Sequence, residues 1–78
     1  MGKRRRLSDA QVKHFSVKLR ALRKQMGLTQ RGLSLKLGYH YSVLSNWELG
    51  NFAPSKEALE DICTFFSVSE EELIGESR

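Results

Sequence analysis

Tyr41, Ser42, Ser45 and Asn46 put three hydroxyls and a carboxamide on one nine-residue stretch, YSVLSNWEL, with no charge among the four. Neutral groups that both donate and accept hydrogen bonds suit one kind of chemistry. Base edges in the major groove of DNA present donors, acceptors and the thymine methyl, whereas phosphates are held by charges that lie elsewhere. The competing reading is an ordinary solvated helix face, since Ser and Asn are mostly exposed residues. Which reading holds depends on where the stretch sits in the fold and on where the chain keeps its charge.

The charge is strongly segregated. Of the 78 residues, positions 1–36 carry eleven Lys and Arg against Asp9 alone, a net of +10, while positions 37–78 carry two cations against eight acids, a net of −6. One half can therefore attract a polyanion, although a solvated surface can segregate charge without binding anything. Other classes of function find little support. Cys63 is a lone cysteine, so no internal disulfide forms, and with only His14 and His40 it gives no metal-ligand spacing. No nucleophile, base and orienting group are arranged for catalysis, so no enzyme, cofactor or small-molecule ligand is expected. No apolar run approaches the roughly 20 residues of a membrane span, and the basic N-terminus lacks the apolar core of a signal peptide. The expectation is a cytoplasmic chain of one all-α domain.

Punctuation places the helices. Ser8 and Gln11 form the S-x-x-Q of a capping box, with Leu7 and Val12 at the spacing of a hydrophobic staple. A first helix starts at about residue 9, and Val12, Phe15, Leu19, Leu22 and Met26 make its apolar stripe until Gly27 stops it. Thr29 caps a second helix to Leu37, with Leu28 and Leu33 as its staple; Gly32 costs this helix about 1 kcal/mol relative to Ala. A third helix runs from about 41 to 49 and ends at Gly50. Pro54 and Ser55 open a fourth, to about Phe66, with Leu59, Ile62, Cys63 and Phe66 on one side. Ser69 and Glu72 make a second capping box, with Val68 and Leu73 as staple, for a short fifth helix to Gly75. Residues 1–7, with the charge run Lys3, Arg4, Arg5 and Arg6, read as a flexible basic arm, 8–75 as the domain and 76–78 as a tail.

Only Gly38, Tyr39 and His40 join helices 2 and 3, which is the spacing of a helix-turn-helix. At about 100° per residue, Tyr41, Ser45, Leu49, Ser42 and Asn46 fall within an arc of about 140°, with Val43, Leu44, Trp47 and Glu48 opposite. The apolar side anchors the helix and the polar side is left to touch something. A neutral donor–acceptor face on the second helix of a helix-turn-helix, in a chain whose other half is basic, favours base reading over simple solvation.

These residues resemble a known family. The signals are L-R-x-L-R at 19–23, G-L-T-Q at 27–30, L-x-x-x-L-G at 33–38, S-x-W-E-x-G-x-x-x-P at 45–54 and V-S-x-x-E-L at 68–73. Together they are similar to the lambda-repressor-like, or Xre/Cro, helix-turn-helix domain over most of the chain, from about residue 19 to 74. The resemblance implies a compact five-helix domain that binds operator double-stranded DNA, as a homodimer, in a bacterial or phage transcriptional regulator of the repressor type. It further implies Gln30 on a phosphate or outer base, Tyr41, Ser42, Ser45 and Asn46 in the major groove, and a structural ion pair between Arg23 and Glu48. The full set of expected DNA contacts is Gln30, Arg31, Tyr39, Tyr41, Ser42, Ser45, Asn46 and Asn51, with the arm residues Lys3, Arg4, Arg5 and Arg6. The dimer contact is expected on apolar surface of helices 4 and 5 near Phe65 and Ile74.

The chain departs from the family pattern in four places. Gly32 removes the capping-box acid of helix 2, Ser34 stands where Ala is frequent, and His40 replaces the Ser or Thr cap of helix 3. The loop after helix 3, Asn51-Phe52-Ala53, carries no cation and so weakens phosphate contacts there. Phe52 is expected as a plug over the core, with an exposed contact as the alternative. The second functional reading is a protein-docking module, such as an antitoxin or accessory subunit, in which DNA binding is secondary.

Overall fold

A computed structural model describes residues 7–75. Five helices follow one another: α1 (Asp9–Gln25), α2 (Gln30–Leu37), α3 (Tyr41–Leu49), α4 (Lys56–Phe66) and α5 (Glu70–Ile74). The all-helical fold expected from the sequence is the fold observed. Each helix opens on a side chain that accepts one of its own unpaired amides: Ser8 from Gln11, Thr29 from Gly32, His40 from Ser42, Ser55 from Ala58 and Ser69 from Glu72.

Three local expectations are corrected. α1 ends at Gln25, and Met26 serves as its cap and lies exposed, because the turn into Gly27 lifts it off the apolar stripe. The box at Ser8 and Gln11 is complete, but the one at Ser69 is half-formed. Glu72 leaves the cap and instead places its carboxylate 3.5 Å from the Lys18 ammonium of α1, while its backbone carbonyl meets His14 Nε2 at 3.1 Å. Ile74 is only 7% exposed, so it belongs to the core and offers nothing to a dimer. A five-residue helix can stay docked only by burying its apolar residues, and α5 spends both Leu73 and Ile74 that way.

Phe15, Leu19, Leu33, Leu44, Ile62 and Leu73 are fully buried, so every helix contributes to one core. Phe15 meets Trp47 edge to face at 6.0 Å between ring centroids, and Tyr39 meets the same indole at 5.3 Å. Trp47 thus fixes α3 against α1 on one side and against the α2–α3 turn on the other.

A buried ion pair completes the attachment. Arg23 Nε donates to Glu48 Oε2 at 2.6 Å and Nη2 donates to Oε1 at 3.0 Å, a bidentate fork in which the two side chains are only 11% and 4% exposed. Arg23 Nη1 also donates to the Leu28 carbonyl at 2.8 Å, and Gln30 Nε2 donates to Glu48 Oε1 at 3.0 Å. The hydrogen bond to Glu48, opposed in part by burial and helped by the carboxylate's charge, pushes the guanidinium pKa further up. Among the described residues no buried side-chain N or O is left without a partner. Removing the carboxylate would strand a charge. Glu48→Ala should therefore destabilise the domain by about 3–5 kcal/mol, far above the 1 kcal/mol or less of an exposed pair. A chemical-denaturation curve checks this, and a loss below about 1 kcal/mol would show that the pair does not hold α3.

Candidate nucleic-acid interface

The face of α3 opposite Leu44 and Trp47 carries Tyr41, Ser42, Ser45, Asn46 and Leu49. Both ends of the helix tie down residues of this face. At the N-terminal end His40 Nδ1 accepts the Ser42 amide at 3.2 Å, so the proton of the neutral ring sits on Nε2. The same Nδ1 lies 2.9 Å from Ser42 Oγ, so the imidazole holds the hydroxyl as well as the amide. Ser42 is exposed, and a serine hydroxyl can both donate to and accept from a base edge.

At the C-terminal end Gly50, at φ 77°, turns the chain left-handed. Its amide returns to the Trp47 carbonyl at 3.1 Å and that of Asn51 to the Asn46 carbonyl at 3.0 Å, the paired bonds of a Schellman turn. Such a turn brings the side chains at positions 46 and 51 together, usually as an apolar contact. Here both are amides: Asn51 Nδ2 donates to Asn46 Oδ1 at 2.7 Å, and Asn46 Nδ2 donates back to the Ser42 carbonyl at 2.8 Å. The Asn46 carboxamide is therefore fixed in orientation but keeps one N–H and one lone pair. A single amide with a free donor and acceptor matches the N6 and N7 edge of adenine.

Tyr41 is fixed in a different way. Its ring lies over His40, 4.8 Å between centroids and 27° from parallel, and the Arg31 guanidinium from α2 sits 4.7 Å from its centroid. Arg31 is exposed and its charge sits beside the face without entering it. Ser45 is half-buried and makes no side-chain hydrogen bond among the described residues.

The expected contact set thus divides. Arg31, Tyr41, Ser42, Ser45, Asn46 and Asn51 lie on or beside the α3 face. Gln30 lies at the start of α2, where its amide N–H is held by Glu48 and its carbonyl oxygen stays unused by that bond. Tyr39 is turned away from this face: its ring packs on Trp47 and its hydroxyl donates to Asp61 of α4 at 3.0 Å. Burial, together with Asp61, raises the Tyr39 pKa. The arm residues Lys3, Arg4, Arg5 and Arg6 fall outside the described residues. Phe52 is not the expected plug. It is 45% exposed and lines a shallow groove with Val12, Val17 and Leu49, because Phe15 and Trp47 already fill the interior beneath the loop. Cys63 is half-buried on α4, where burial first and then Glu70, Glu60 and Glu72 push its thiol pKa up, which makes it a poor nucleophile.

Two links lie beyond what the sequence leads one to expect: the 46–51 amide pair and the Arg31–Tyr41 stack. The first had a signal in the glycine at position 50 between two asparagines spaced as a Schellman turn requires. The second had none, since it depends on how α2 and α3 are set against each other.

The fold and this face together define a helix-turn-helix domain with an exposed second helix. The helix-turn-helix family pattern matches residues 19–73, and the chain belongs to that family. It is 40% identical over 61 residues to the HTH-type transcriptional activator BcrR of Enterococcus faecalis, covering 78% of this chain and 30% of that protein. It is 38% identical over 56 residues to the uncharacterized HTH-type transcriptional regulator YazB of Bacillus subtilis (strain 168), covering 72% and 81% respectively. Among solved structures it is similar to the S. venezulae BldD DNA-binding domain, with a TM-score of 0.69, 31% identity and coverage of 81% of this chain and 94% of that one. The chain spans less than a third of the BcrR length.

Arg31, a charge beside a neutral face, is expected to contact phosphate. Arg31→Ala should weaken binding to any duplex by a similar factor and lower the slope of log K against log salt by about 1. Titrations at several salt concentrations check this; a loss confined to one DNA sequence would make Arg31 a base reader.

Proposed function

We propose that this helix-turn-helix DNA-binding regulator reads operator DNA by inserting α3 into the major groove, with Tyr41, Ser42, Ser45 and Asn46 toward base edges. One observation carries the reading: the neutral face is held in place from behind by Leu44, Trp47 and Glu48 while its own polar groups keep spare hydrogen-bonding capacity. Gln30 and Asn51 flank the face, and Arg31 reaches the backbone. The function is transcriptional control without catalysis, in the cytoplasm, as a homodimer on two half-sites. One helix reads only a few base pairs, and two-fold pairing doubles the contacts. Among the described residues no helix is long and apolar enough to cross a membrane.

Selection of bound duplexes from a random pool tests the core of this reading. The wild type should enrich a two-fold sequence with half-sites about 34–36 Å apart. Asn46→Ala and Tyr41→Ala should each cost about 1–3 kcal/mol on that duplex and little on random DNA. Equal losses on both would mean that α3 does not read bases, and absence of duplex binding would leave the docking-module reading in its place.

Phosphate binding needs more charge than α3 can give. Lys3, Arg4, Arg5 and Arg6 are four cations ahead of a well-capped helix, and the loop after α3 offers none. Seven extended residues reach at most about 25 Å, enough to meet a neighbouring groove or a phosphate strand. Deleting residues 2–6 should flatten the salt slope by up to about 3 per subunit while operator preference stays largely intact. An unchanged slope would show that the arm takes no part.

A further inference from the structure

Leu49 is the one aliphatic side chain on the α3 face, and it is 71% exposed. It is not needed to hold the helix, since Val43, Leu44 and Trp47 supply that attachment. On the helical wheel it falls between Ser45 and Ser42, near the centre of the polar arc and one turn beyond Ser45. The amides of Asn46 and Asn51 lie at the same end of the helix. A large apolar group with hydrogen-bonding neighbours on its own helix face has few complements on a duplex. In the major groove the apolar feature of a base edge is the thymine 5-methyl group.

We propose that Leu49 reads a thymine methyl, so that this chain distinguishes thymine from otherwise equivalent bases by apolar contact at the C-terminal turn of α3. The inference rests on the reading that α3 enters the major groove, and it adds to that reading a base and an atom. Leu49 also lines the groove shared with Val12, Val17 and Phe52. That groove is also lined by Asn51, which flanks the α3 face, so Leu49 stands where the two meet. The wheel position makes Leu49 continuous with the DNA face, which favours a base over a protein partner as its occupant.

The test uses the full chain and a duplex selected by it from a random pool. The duplex is remade with each thymine singly replaced by uracil, which removes the methyl and leaves the pairing edge unchanged. One thymine per half-site should be sensitive, with affinity falling roughly fourfold on loss of a methyl buried against Leu49. Leu49→Ala should bind the thymine and uracil forms equally and melt like the wild type, as expected for a side chain so exposed. Uracil replacement without effect at every position, or a Leu49→Ala protein that keeps the wild-type thymine preference, would overturn the proposal while α3 base reading stands. A Leu49→Ala protein that changes its state of association without DNA, with thymine preference unaltered, would assign the residue to a protein contact and overturn it equally. If the wild type enriches no sequence, base reading by α3 and this inference fall together.

Discussion

The bidentate pair between Arg23 and Glu48 fixes α3 and the start of α2, the described elements proposed to meet DNA. Arg23 lies on α1, its third nitrogen holds the Leu28 carbonyl in the α1–α2 turn, and Glu48 holds Gln30 at the first turn of α2 while itself belonging to α3. One pair of charges therefore ties three helices and a turn. Burial makes the arrangement costly to form and more costly to break, because either partner alone would be an unpaired charge away from water. An apolar pair of the same volume could fill the space, but it would not set the direction of Gln30 or the roll of α3. The aromatic contacts of Trp47 press α3 inward; the ion pair sets its orientation.

Division of labour follows from that placement. A helix whose inner side is committed to Leu44, Trp47 and Glu48 has only its outer arc for recognition, and that arc carries no formal charge. Under the proposed function, attraction to a polyanion comes from outside that arc, with Arg31 beside Tyr41 and the cations of the first half of the sequence as its sources. Acids gather at the other end of the chain, and several are used structurally: Glu48 pairs with Arg23, Asp61 accepts from Tyr39, and the Glu72 carboxylate meets Lys18. The segregation of charge visible in the sequence is thus partly a consequence of how α4 and α5 are fastened to the rest.

Helix positions were legible because caps and stop residues are local chemistry. Ser8, Thr29, His40, Ser55 and Ser69 all cap where the sequence places them, and Gly38 and Gly50 end their helices in the left-handed conformation. What was not legible depends on competition between distant groups. Glu72 could serve its own cap or the Lys18 ammonium, and nothing within six residues decides between them. Ile74 reads in the sequence as apolar surface left for a partner; only docking against α1 reveals it as core. Phe52, expected as a plug, stays outside because the interior is already filled by residues far from it in sequence. At the site, residue identities on α3 can be read, but not that the Tyr39 hydroxyl is taken by Asp61 of α4 or that Arg31 lies on Tyr41.

On the proposed function, the capping of α3 is what lets so short a helix act as a reader. Nine residues are too few to be stable alone, and loose polar side chains would lose rotamer freedom on binding, at a cost that grows with each one ordered. Here that ordering is completed before DNA arrives: Ser42 is held by His40, Asn46 by the Ser42 carbonyl and Asn51, and Tyr41 by His40 and Arg31. The same bonds that stabilise the helix ends spend part of the hydrogen-bonding capacity of the reading groups. The remainder is the hydroxyls of Tyr41 and Ser45, what His40 leaves of Ser42, and one donor and one acceptor on the oriented Asn46 amide. Fewer free groups in fixed directions reject a mismatched base more sharply than many flexible ones, since a group that cannot turn toward another partner is left unpaired.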